Sequence, residues 1–109
     1  MKTNVIQEKS YLFALKIIKV YKELTEVKKE YALSKQILRC GTSIGANIEE
    51  SIGGQSDKDF LSKITIAYKE ARETHYWLRL LRDSGYLDSV LSTELLNDRD
   101  ELLKIIGSI

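Results

Sequence analysis

The chain has 109 residues, 43% hydrophobic and 30% charged, with a formal charge of +1. That is enough for one packed core and too apolar for a disordered chain, while the near-zero charge excludes an overall field that would draw in nucleic acid. Proline is absent, which favours long uninterrupted helices. The single cysteine, Cys40, excludes an intramolecular disulfide and a Cys-based zinc cluster, and fits a reduced, cytoplasmic home. Charge is unevenly spread: residues 1–48 carry nine Lys and Arg against four Glu, and the remainder carries eight against twelve acids. Met1-Lys2-Thr3-Asn4 leads into no long apolar run of the signal-peptide kind. No stretch approaches the roughly 18 apolar residues of a membrane span.

The first helix is predicted from Asn4 to Leu24, with Ile6, Phe13, Ile17, Val20 and Leu24 as its core stripe and Ala14 and Tyr21 beside it. Tyr11, Leu12, Leu15 and Ile18 lie off that stripe, leaving a narrow polar ridge around Lys9, Lys16, Lys19 and Glu23. A surface helix normally has a wider polar face. The excess apolar surface predicts that this helix is also covered by another subunit.

Thr25–Lys29 reads as a charged connector, and the second helix as Glu30–Ser51. This helix is the centre of the chain. Ile37, Gly41, Ile44, Ile48 and Ile52 recur at helical spacing, and Gly41/Gly45 and Thr42/Ala46 form small-x-x-x-small pairs. Each interior Gly costs roughly 1 kcal/mol against Ala, so two of them point to close approach of another helix. Gly53-Gly54 is expected to stop it in the left-handed conformation.

Ser56 follows as an N-cap with Asp59 three residues on, opening a third helix over Asp57–Asp83 that Ser84-Gly85 ends. Phe60, Ile64, Ala67, Ala71, Leu78 and Leu81 form its stripe. Asp88 or Ser92 caps the fourth helix, whose predicted buried face is Leu91, Leu95, Leu102, Ile106 and Ile109, flanked by Leu103 and Ile105. Short connectors between helices imply an all-α, antiparallel up-and-down four-helix bundle over residues 1–109.

Catalytic parts are scarce. His75 is the sole histidine, and nothing in the spacing sets it beside Cys40 or Ser43 as a nucleophile's base. Bundle di-iron sites use Glu-x-x-His pairs, but Arg72 stands three residues before His75. Glu49 and Glu50 project about 100° apart on a helix. No metal, cofactor or enzymatic activity is expected. Arg39, Ser43 and Asn47, spaced by four, form a polar ridge that Glu50 and Glu73 are placed to reach; bidentate Arg–carboxylate pairing there would fix helix register. For nucleic acid, Lys69, Arg72, Tyr76 and Arg79 lie along one line of the third helix, with Lys58 a few turns earlier. Such cations neutralise phosphates and such an aromatic stacks a base. Glu70 and Glu73 nearby favour a merely solvated face instead. Lys28, Lys29, Lys35 and Arg39 form a second basic patch.

From about Ser10 to the C-terminus the chain resembles the bacterial four-helix family named for the 23S rRNA intervening-sequence protein. Two stretches carry the resemblance. LRCGTSIGANIEES matches through Arg39, Ser43, Ile44, Asn47, Ile48 and Glu50, and DFLSKITIAYKEARETHYWLRLL through Phe60, Ile66, Ala67, Glu73 and Leu78. Gly45 stands where the family often has Pro, and Ser51 where it often has Gly. The resemblance implies a non-enzymatic bundle that assembles as a homopentameric ring and associates with RNA. Similar bundles also act as accessory subunits that recruit a partner enzyme such as a reverse transcriptase, which is the alternative function. The expected RNA contacts are Lys35, Arg39, Lys69, Arg72, Tyr76 and Arg79.

Overall fold

The computed structural model describes the backbone of residues 2–109 and side chains from Asn4 onward; the Met1 start noted above lies outside it. The described residues form four α-helices and no strand: α1 (Lys2–Lys22), α2 (Leu33–Ile52), α3 (Asp57–Asp83) and α4 (Ser89–Gly107). α2 packs between α1 and α3, and α4 closes against both α3 and α1.

The stop between α1 and α2 differs from the predicted connector. α1 continues into a π-helical segment, Glu23–Val27, in which Leu24 remains buried. Lys28 N–H donates to the Glu23 carbonyl at 3.1 Å and Glu30 N–H to that of Leu24 at 2.8 Å. Lys29 turns the chain with φ 55°, a left-handed conformation that costs a non-glycine residue roughly 1–2 kcal/mol. Glu30 is not the first helical residue. Its carboxylate accepts from the backbone N–H groups of Ala32 (3.2 Å), Leu33 (2.9 Å) and Ser34 (2.8 Å), so it caps α2 from outside. Free N–H donors and the positive end of the helix dipole both favour an anion there.

The other boundaries follow their caps. Ser56 Oγ accepts from Asp59 N–H at 3.1 Å and opens α3. Asp88, not Ser92, caps α4 by accepting from Leu91 N–H at 2.8 Å. Gly85 has φ +86° and lets Tyr86 and Leu87 N–H groups return to the Leu81 carbonyl. Gly53 ends α2 with φ −84°, so the expected left-handed stop does not form there. The need for glycine lies at Gly54, where a Cβ would stand 3.1 Å from the Ser51 carbonyl and 3.3 Å from the Phe60 nitrogen.

The core joins all four helices. Ile6, Phe13, Ile17, Val20 and Leu24 meet Ile37, Cys40, Ile44 and Ile48 from α2. Ile64, Ala67, Ala71, Leu78 and Leu81 of α3 and Leu95, Leu102 and Ile106 of α4 complete it. Full burial of each such Leu or Ile is worth about 1.5–3 kcal/mol. Two positions assigned to the core by spacing are exposed, Ile52 at 47% and Ile109 at 42%, because each lies at the last turn or beyond, where no neighbouring helix covers it. Small polar residues fill gaps instead: buried Ser10, Ser51 and Thr74 donate to backbone carbonyls three or four residues earlier. On the outer side of α1, Tyr11, Leu12, Leu15 and Ile18 are 37–62% exposed. The second apolar side read from the sequence is therefore open in the single chain.

Candidate nucleic-acid interface

The Arg39 ridge forms at the α2–α3 contact, with Glu73 among its partners as expected and Glu70 in the place expected for Glu50. Arg39 Nη1 donates to Glu70 Oε2 at 3.1 Å, and Nη2 donates to Glu73 Oε2. Trp77 Nε1 also donates to Glu73 Oε2, at 2.8 Å. One carboxylate thus ties a cation on α2 to an indole on α3. Burial opposes the Arg39 charge, but Glu73 and Glu70 outweigh it and hold the guanidinium more firmly protonated. Glu50 does not join this ridge; it meets Lys63 at 3.4 Å. Ser43 and Asn47 turn to their own helix, donating to the carbonyls of Arg39 (2.5 Å) and Ser43 (2.8 Å). Side-chain bonds of this kind tether small polar residues locally and leave little reach for a ligand. Glu70 and Trp77 belong to the network although the sequence reading passed over them. Their signal was helical spacing: Glu70, Glu73 and Trp77 are three and four apart.

Lys69, Arg72, Tyr76 and Arg79 are all exposed along α3. Lys69, Arg72 and Arg79 make no ion pair among the described residues. Arg79 lies 6.0 Å from the Tyr76 ring centroid, within the range of a cation–π contact. Tyr76 also meets Trp77 edge-on, with centroids 5.1 Å apart and planes at 78°. This is a half-exposed aromatic among cations that have no carboxylate at ion-pair distance among the described residues. Lys35 is exposed in the first turns of α2.

Other places are poorer candidates. A cleft of about 480 Å³ between the end of α1 and the start of α4 is lined by Lys16, Lys19 and Lys28 but also by Glu23, Asp88 and Glu94, so its charges cancel. Lys16 is already engaged by Asp98 at 2.7 Å and Glu94 at 3.7 Å. Cys40 is buried, and desolvation pushes its thiol up to about 11, which suits a packing residue rather than a nucleophile. Among the described residues no group of three His, Cys, Asp or Glu lies close enough to hold a metal. Among the described residues no helix is long and apolar enough to cross a membrane.

Four packed helices and no strand among the described residues define a small all-α protein. The chain belongs to the 23S rRNA-intervening sequence protein family, whose sequence profile matches residues 2–108. It is similar to a solved structure from Bacteroides thetaiotaomicron VPI-5482, described as a protein with unknown function from the S23 ribosomal protein family. The two are 48% identical, with a TM-score of 0.97 over 99% of this chain and 96% of that one. No curated protein matches.

Proposed function

We propose that this chain is a non-enzymatic, cytoplasmic RNA-binding protein that works as a homo-oligomer, a ring of five. The observation that carries the reading is the α3 line: Lys69, Arg72 and Arg79 are exposed, without a carboxylate at ion-pair distance among the described residues, and interleaved with Tyr76, while Asp83 acts on Arg79 from farther off. Phosphates need such cations, and a base needs such a ring. Lys35 extends the positive surface. Arg39 contributes less, because Glu70 and Glu73 already neutralise it. Oligomerisation multiplies a weak single-chain patch into an avid one, and the open apolar row on α1 supports it.

An antiparallel up-and-down arrangement underlies this reading. Ser10 lies at Gly45 and Ile17 at Gly41; Lys9 meets Glu101 and Lys16 meets Asp98; Glu50 meets Lys63 and Arg39 meets Glu73. In every set the partner numbers fall as the others rise.

Charge reversal of Lys69, Arg72 and Arg79 together should abolish binding to structured rRNA fragments while the helical circular dichroism stays unchanged. Undiminished binding with the fold intact would move the interface elsewhere. A second reading, a scaffold that recruits a partner enzyme without touching RNA, draws on the same α1 row, which a partner helix would cover as well as a second copy would.

A further inference from the structure

The cleft of about 480 Å³ between the end of α1 and the start of α4 shares no residue with the RNA surface proposed above. Its size falls within the roughly 300–1,000 Å³ of small-ligand sites. Its lining is apolar in the middle: Val20 and Leu87 are buried there, and Tyr86 and Leu91 are half-buried against the core. Three ammonium groups and three carboxylates complete the lining. Lys16 is engaged with Glu94 at 3.7 Å and with Asp98 at 2.7 Å, an ion bridge that ties α1 to α4. Lys19, Lys28, Glu23 and Asp88 remain; all four are exposed, and none makes an ion pair among the described residues. Asp88 Oδ1 already accepts from Leu91 N–H at 2.8 Å as the cap of α4, which leaves Glu23 the freer carboxylate.

The backbone beside the cleft carries a second signal. Glu23 and Lys28 are the two ends of the π-helical turn, joined by Lys28 N–H on the Glu23 carbonyl at 3.1 Å, and both line the cleft. Lys29 follows in the left-handed conformation, φ 55°. π-helical turns are found frequently at functional sites, and strained backbone clusters there too.

We propose that this cleft binds a small zwitterion with an apolar body, a hydrophobic amino acid or short peptide with free ends. Its side chains would cover Val20, Tyr86, Leu87 and Leu91, its ammonium would meet Glu23, and its carboxylate would meet Lys19 and Lys28. The balance of charge that makes the cleft a poor phosphate site is what selects such a ligand. An apolar anion alone would face Glu23 and Asp88, and an apolar cation alone would face Lys19 and Lys28, whereas a molecule carrying both signs satisfies both.

The test is NMR on the full-length protein, following backbone amides while L-leucyl-L-phenylalanine is added, with its N-acetyl and C-amide forms as controls. Saturable shifts at millimolar concentration are expected over residues 19–28 and 86–94. Each blocked form should bind about two- to fivefold more weakly, the range of one exposed ion pair. Glu23→Gln should weaken the free peptide to the same extent and leave the N-acetyl form unchanged, because that form has no ammonium to lose. Lys19→Gln combined with Lys28→Gln should do the same for the free peptide and spare the C-amide. L-phenylalanine separates the two sources: weaker binding than the dipeptide assigns the cleft to peptides, and binding at least as tight assigns it to the free amino acid. No saturable shift, equal binding of the three dipeptide forms, or shifts outside the cleft overturn the site. Charge reversal at Lys69, Arg72 and Arg79 should leave peptide binding intact, so this site stands or falls apart from the RNA reading.

Discussion

Ile17 occupies the space that a side chain on residue 41 would need. A Cβ on Gly41 would stand 2.8, 3.0 and 3.2 Å from three carbons of Ile17, whose own side chain is fully buried. Gly41→Ala gains about 1 kcal/mol in helix propensity but forces Ile17 off its place in a close-packed core, at a cost of about 1–3 kcal/mol. Net destabilisation is expected in urea unfolding. Ile17→Ala, which removes all three carbons, should make Gly41→Ala less costly in the double variant than in the parent. A Gly41→Ala protein more stable than the parent would contradict the packing described.

Glu30 makes α2 sensitive to acid. Burial disfavours its charge, yet hydrogen bonds from the Leu33, Ser34 and Ala32 backbones outweigh that and hold its pKa below the ordinary 4.5. A depressed carboxyl stabilises the fold fully above the unfolded value, and that contribution is lost as pH falls through the folded one. Glu30→Ala should cost about 0.5–2 kcal/mol at neutral pH. Unfolding curves of parent and variant should converge on acidification. A gap that is unchanged well below pH 4 would place the effect in packing instead.

Cys40 reports on opening of the bundle. Its thiol is buried and pushed up to about 11, so native protein should resist an aromatic disulfide reagent at pH 8. Labelling should accelerate with urea in step with unfolding. Rapid labelling in the absence of denaturant would mean that α2 is not held against α1 and α3 as described.

The open row on α1 is the surface that the proposed assembly would cover. Leu12→Glu and Leu15→Glu place charge on half-exposed positions outside the core, so folding should survive. Sedimentation equilibrium should then show a monomer where the parent forms an oligomer. A parent that is monomeric at micromolar concentration would contradict the oligomeric reading at its root.

Much of the architecture is legible in the residue order. α3 runs Asp57–Asp83, as Ser56 and Ser84-Gly85 mark it, because capping is a local matter of side-chain oxygens and backbone conformation. The start of α2 is less legible, since Glu30 has good helix propensity and only the π segment and Lys29 turn it outward into a cap. Arg99 hides for another reason. Its charge argues for the surface, and its burial follows only from its place on the α4 stripe, four residues after Leu95. The link between Arg39 and Glu73 was readable as a plausible pair, whereas Glu50 had a nearer partner in Lys63 that depends on how α2 and α3 align. Alignment between helices is set by tertiary packing, which spacing within one helix does not encode.

The most direct measurement is the affinity of the purified protein for structured rRNA fragments across a salt series. The account predicts a linear fall of log K with log salt, by about 0.7–0.9 per neutralised phosphate, and a shallower slope after charge reversal at Lys69, Arg72 and Arg79. Absence of binding at low salt, or a slope that those substitutions leave unchanged, would contradict it.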